Sequence, residues 1–157
     1  MSLIVDIRKY HLDNLMNDLV NSSQVKKNWW GKKTDTYWEF LKNNFDSIEA
    51  DLNAHLIADF FVYIIDELKY KEVLSEYTSV IANNRNSFVT LLLPEDRDFL
   101  LNVISEEAFF QTFEGFAKKL NGEYYEYNES TLKENFRNLQ IVLREITNDH
   151  GVLINMC

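Results

Sequence analysis

The chain has 157 residues, 46% of them hydrophobic and 26% charged, with a net charge of -9, one proline and one cysteine. That length closes a hydrophobic core without metal or disulfide staples, and a lone cysteine, Cys157 at the last position, excludes an internal disulfide. Residues 1–50 carry seven Lys or Arg against seven Asp or Glu, whereas residues 51–157 carry nine against eighteen, so most of the molecule repels a polyanion.

No cationic start followed by an apolar run and a small-residue cleavage site marks a secretory signal. The longest apolar run, Leu56 to Ile65, is broken by Asp59 and is about half the roughly 20 residues that a membrane span needs. Composition therefore predicts one globular domain over residues 1–157, cytoplasmic, with no membrane and no nucleic acid among its partners.

"LIVDI", near residues 3–7, reads as a strand. Leu12, Leu15, Met16, Leu19 and Val20 follow at helical spacing and end near "NSS". Next comes "VKKNWWGKKTDTYWEF", four lysines among three tryptophans. Thr36 and Glu39 have capping-box spacing, and Trp38, Leu41, Phe45 and Ile48 repeat behind them, which predicts a helix with Trp38 on its buried face. Gly31 and its lysines then read as the solvated turn before that helix, with one of Trp29 and Trp30 packed under the turn and the other partly exposed.

From Leu52 to Leu68 the chain is apolar almost all round, the pattern of a helix at the centre of a fold. Val73, Leu74, Tyr77, Val80 and Ile81 predict another helix, closed by the turn-forming "NNRNS". "SFVTLLL", residues 87–93, reads as a buried strand stopped by Pro94, and proline followed by "EDRD" suits a helix's first turn. Ser105, Glu106 and Glu107 open a helix bearing Phe109, Phe110, Phe113, Phe116 and Leu120, closed by Asn121 and Gly122. After "EYYEYNES", Leu132, Phe136, Leu139, Leu143 and Ile146 predict a strongly amphipathic helix ended by Gly151, and residues 151–156 a last strand. The fold class expected is α+β: mostly helical, with a small sheet of about three short strands near 3–7, 87–93 and 151–156.

Signatures of chemistry are sparse. Four glycines, at 31, 115, 122 and 151, leave no phosphate loop and no nucleophile elbow. Asp51, His55 and Asp59, spaced i, i+4, i+8, form a polar stripe on an apolar segment; a histidine between carboxylates can bind a divalent metal or act as a base, while the plainer account is a solvated face. His11 and His150 stand alone beside helix ends. The acids of "PEDRD" and "SEE" suit helix starts, where they meet the helix dipole. Tyr124, Tyr125 and Tyr127 alternate with acids and offer rigid amphipathic rings to a partner, or else a lid over the core.

The segment "FVTLLLPEDRDFLLNVISEEAFFQTF", the closing "FRNLQIVLREITNDHGVLINM", and more loosely "LIVDIRKYHLDNLM" and "YWEFL" resemble the YfbM-like domain, a family of uncharacterised bacterial proteins. The likeness spans about half the chain, lacks a counterpart for "WWGKK", and implies an α+β fold with both terminal strands in one sheet, without catalytic residues to carry over.

Two functional readings follow. One is a non-enzymatic protein-binding domain, immunity- or antitoxin-like by class analogy, meeting a basic partner and using Trp29, Trp30, Tyr124, Tyr125 and Tyr127, with no cofactor. The other is a small-molecule binder or enzyme with a pocket lined by Asp51, His55 and Asp59. A homo-oligomer that buries aromatic surface against its own copy stays open beside them.

Overall fold

The computed structural model describes residues 4–13, 16–105, 112, 115–116 and 128–157. Strands β1 (Val5–His11), β4 (Asp46–Ser47), β5 (Phe88–Leu92) and β6 (His150–Met156) form one antiparallel sheet in the order β4-β1-β6-β5. Strands β2 (Lys26–Lys27) and β3 (Lys33–Thr34) form a separate hairpin. Helices α1 (Met16–Ser23), α2 (Tyr37–Asn44), α3 (Ala54–Glu67), α4 (Ser75–Arg85), α5 (Pro94–Val103) and α6 (Glu129–Arg144) complete the described elements.

The helices lie on both faces of the sheet. Alternate residues of a strand face opposite ways, so Val152, Ile154 and Met156 of β6 enter a core with Ile7, α3, α5 and α6, while Leu153 enters a second core with Tyr10, Leu91, α1, α2 and α4. Every residue of β6 from Gly151 to Met156 is buried. A strand covered on both sides loses the polar alternation of a half-exposed one and reads as a continuous apolar run. The centre of the fold is therefore this strand, and α3 covers one face of the sheet with Val62 and Ile65 turned outward.

Several expected elements shift. Among the described residues the sheet has four strands where about three were expected, because β4 is only two residues long. The opening strand runs Val5–His11 rather than near 3–7. In α2 the phase moves by one residue: Tyr37 and Leu41 are buried and Trp38 is 39% exposed. Thr36 caps nothing with its side chain; Asp35 instead accepts a hydrogen bond from the Tyr37 backbone N–H at 3.1 Å. That helix stops at Asn44, so Ile48 belongs to the extended chain beyond it. Leu12 lies outside α1 and is exposed, and Val73 and Val80 are exposed as well. Helix α6 ends at Arg144, and Gly151 lies inside β6, where a Cβ would sit 2.4 Å from the Tyr10 ring and 2.7 Å from the Leu92 carbonyl oxygen. Its role is the close approach of Tyr10 across the sheet rather than the end of a helix.

Other expectations hold. Pro94 opens α5, Asn86 ends α4 with a left-handed backbone, and Leu132, Phe136, Leu139 and Leu143 line the buried face of α6. Of the phenylalanine-rich segment, Phe116 is helical and buried; Phe109, Phe110, Phe113, Leu120, Asn121 and Gly122 lie outside the described residues, as does Leu15.

Leu153 is fully buried at the centre of β6. Leu153→Ala should lower the unfolding free energy by about 2–5 kcal/mol in a urea titration, as deletions in tight cores do. Val62→Ala, on the outer face of α3, should change it by about 0.5 kcal/mol or less.

Candidate functional site

The hairpin β2–β3 is the most exposed aromatic surface of the described residues. Its pairing is Lys26 with Thr34 and Lys27 with Lys33, leaving residues 28–32 as the connecting loop. Asn28 organises that loop: its Oδ1 accepts from the Trp30 N–H at 3.1 Å and the Lys32 N–H at 2.8 Å, and its carbonyl oxygen accepts from the Gly31 N–H at 2.9 Å. Gly31 has φ +76° with open space around it, so glycine is there for backbone conformation. The two indoles at the tip meet edge to face, centroids 5.6 Å apart, and are 87% and 84% exposed. Neither packs under the turn, contrary to the expectation for one of them. No turn-to-core contact is needed, because the loop closes on itself through Asn28.

The base of the hairpin is anchored. Asp35, one residue past β3, receives both terminal nitrogens of Arg85 of α4, at 2.9 and 2.8 Å. The Arg85 guanidinium holds the Asp35 carboxyl below its ordinary value, and lies 4.7 Å from the centroid of the Tyr37 ring. A fixed base with a projecting tip presents the indoles with little further ordering to do on contact. Lys26, Lys27, Lys32 and Lys33 are all exposed, and no Asp or Glu lies between residues 26 and 33. Tyr124, Tyr125 and Tyr127, the other aromatic candidates, lie outside the described residues.

The stripe Asp51, His55 and Asp59 does not share one helix. Asn53 caps α3, its Oδ1 accepting from the Leu56 N–H at 3.0 Å, so Asp51 precedes the helix. The chain there is stitched to α6: Asn135 Oδ1 accepts from the Asn53 N–H at 2.6 Å, and Asn138 Nδ2 donates to the Asp51 carbonyl oxygen at 2.7 Å. His55 is exposed and Asp59 half-buried. The depression that Asp51 lines is walled by Val5 to Ile7 and Ser47 to Asp51, without His55 or Asp59. Sequence reading left His11 and His150 apart, whereas β1 and β6 pair them directly, ring centroids 4.6 Å apart. Among the described residues no group of three or more His, Cys, Asp and Glu side chains is placed to hold a metal ion.

Two carboxylates are drawn into the fold beside the edge strand β5. Glu72 Oε2 accepts from the Leu91 N–H at 3.0 Å, and Asp96 accepts from the Tyr70 hydroxyl at 2.8 Å and the Leu93 and Val73 N–H groups at 2.9 and 3.1 Å. Burial pushes the Glu72 carboxyl above its ordinary value, and the neighbouring Asp96 adds to the push. Burial likewise raises the phenols of Tyr10 and Tyr70. A perturbed acid such as Glu72 often marks a catalytic cleft. Here both carboxyl groups are occupied by backbone donors that a sheet edge and a helix start leave over, which makes the pair a structural clamp.

No helix among the described residues is long and apolar enough to cross a membrane. Compared with protein-family models, with curated proteins and with solved structures, the chain matches none.

A carboxyl whose value is raised in the fold binds its proton more readily there than in the unfolded chain. Its contribution to stability is then greatest at low pH and is lost as pH climbs from the ordinary value of 4.5 towards the raised one. Glu72→Gln stays neutral, so urea unfolding at stepped pH above 4.5 should show the wild type losing stability relative to the variant.

Proposed function

We propose that the chain is a non-enzymatic binding protein that grips another protein through the Trp29–Trp30 hairpin. The observation that carries this reading is the exposure of two adjacent tryptophans, 87% and 84%, on a finger whose base is pinned to α4. Large indoles in water are an unfavourable surface for a folded chain, and aromatic side chains of this kind supply the buried anchors of protein interfaces. The comparison with immunity and antitoxin proteins rests on class alone. The likeness to the YfbM-like domain is likewise a proposal and adds no site residue.

Charge refines the partner. A basic partner was expected from the acidic second part of the chain, but the Trp29–Trp30 hairpin carries four lysines and no acid. The face that meets the finger is therefore acid-lined. Lysines beside exposed rings are also the chemistry of a single-strand binder. The rest of the chain, with twelve Lys or Arg against twenty-five Asp or Glu, repels any polyanion longer than the finger, which favours a compact protein cleft.

Native mass spectrometry of the protein purified gently from its own host, as wild type and as Trp29→Ala/Trp30→Ala, tests the reading. The expected result is a bound protein's mass, that of another chain or of a second copy, on the wild type and its loss from the double variant, with circular dichroism unchanged and affinity for the recovered partner weakened about thirtyfold or more. The same mass on both proteins, or a nucleic acid or small molecule in place of a protein, overturns it.

A further inference from the structure

We infer that the hairpin of one copy docks into a depression beside β4 on a second copy of the chain. This rests on the hairpin being the docking element, and it names the partner. The depression is open, about 530 Å³, and lies where the chain leaves the sheet after β4. Its apolar surface comes from Val5, Ile48 and Ala50, all only half-buried, and acids Asp6, Glu49 and Asp51 stand around it. Among the described residues, no lysine or arginine lines it.

That complements the finger in kind: its indoles meet half-buried aliphatic side chains, and its lysines meet carboxylates. Asp6 already pairs with Arg8 at 3.0 Å, so Glu49 and Asp51, both exposed, are the acids that a lysine meets. The strand partner at this edge is two residues long, which leaves the flank of β1 thinly covered there, whereas the opposite edge at β5 is covered by Glu72. An association built from one finger and one depression is small, so it is weak, concentration-dependent and weakened by salt.

Sedimentation velocity of the full chain over a concentration series, at low and high salt, gives the test. The wild type should associate, and added salt should reverse it. Trp29→Ala/Trp30→Ala and Glu49→Lys/Asp51→Lys should each stay monomeric; all four positions are exposed, so both variants should keep the wild-type melting curve. An equimolar mixture of the two variants should form a heterodimer, because one retains an intact depression and the other an intact finger, and the mixture should bind about thirtyfold or more tightly than either variant binds itself.

A wild type that stays monomeric at every concentration overturns the proposal, as does association untouched by either variant. Binding of the tip to phosphatidylglycerol vesicles or to a single-stranded oligonucleotide, by a chain that remains monomeric, also overturns it. Binding to a host protein is distinguishable from self-docking: a monomeric chain that still loses a host protein with Trp29→Ala/Trp30→Ala removes self-docking and leaves partner binding standing.

Discussion

The hydrogen-bonded seat of β6 between β1 and β5 is the constraint from which the other placements follow. It brings residues 150–156 against residues 5–11, almost the whole length of the chain apart in sequence, and buries the result on both faces. A buried strand leaves no unpaired backbone group to water, so both neighbours are required. Helices then have to cover each face, and α1, α2 and α4 take one while α3, α5 and α6 take the other. Tyr10 lies directly over Gly151 in this arrangement, which makes the absence of a side chain at 151 a condition of the pairing.

The two ends of the sheet are treated differently. At β5 the carboxyl groups of Glu72 and Asp96 take up backbone N–H groups of Leu91, Leu93 and Val73, closing that edge from inside the fold. Burying a carboxylate is costly unless hydrogen bonds offset it, and here each has several. At β4 the strand is short and the surface beyond it is acidic and partly apolar. The hairpin, cationic and aromatic, stands clear of both cores. Acids in the interior serve the fold, and the binding chemistry proposed for the chain lies in surface features that look outward.

Much of the scaffold was legible in the sequence. Helix α6 announced itself through Leu132, Phe136, Leu139 and Leu143, since a long helix repeats its buried spacing often enough to be unambiguous. Strands β5 and β6 were legible from short apolar runs bounded by Pro94 and Gly151. The hairpin was not, because two strands of two residues each carry no alternation to detect. The signal that could have found it is the pairing of Asn28 with Gly31, a turn-forming asparagine before a glycine free to take positive φ. Tyr37 and Trp38 show a different limit: adjacent aromatics fit a buried face equally well on paper, and only the contact with Arg85 and the second core selects Tyr37.

The sequence by itself determined the local quantities: that most of the described helices exist, the apolar runs that become β5 and β6, the contrast of charge between the lysine-rich finger and the acidic remainder. These depend on neighbours a few residues away and survive without knowledge of the rest. Only the tertiary structure decided that Trp29 and Trp30 face water while Tyr37 does not, that Asp51 stands apart from the helix bearing His55, and that His11 meets His150. Burial and proximity between distant segments are set by how the sheet is ordered, and strand order is a property of pairings across the whole chain that no local pattern encodes.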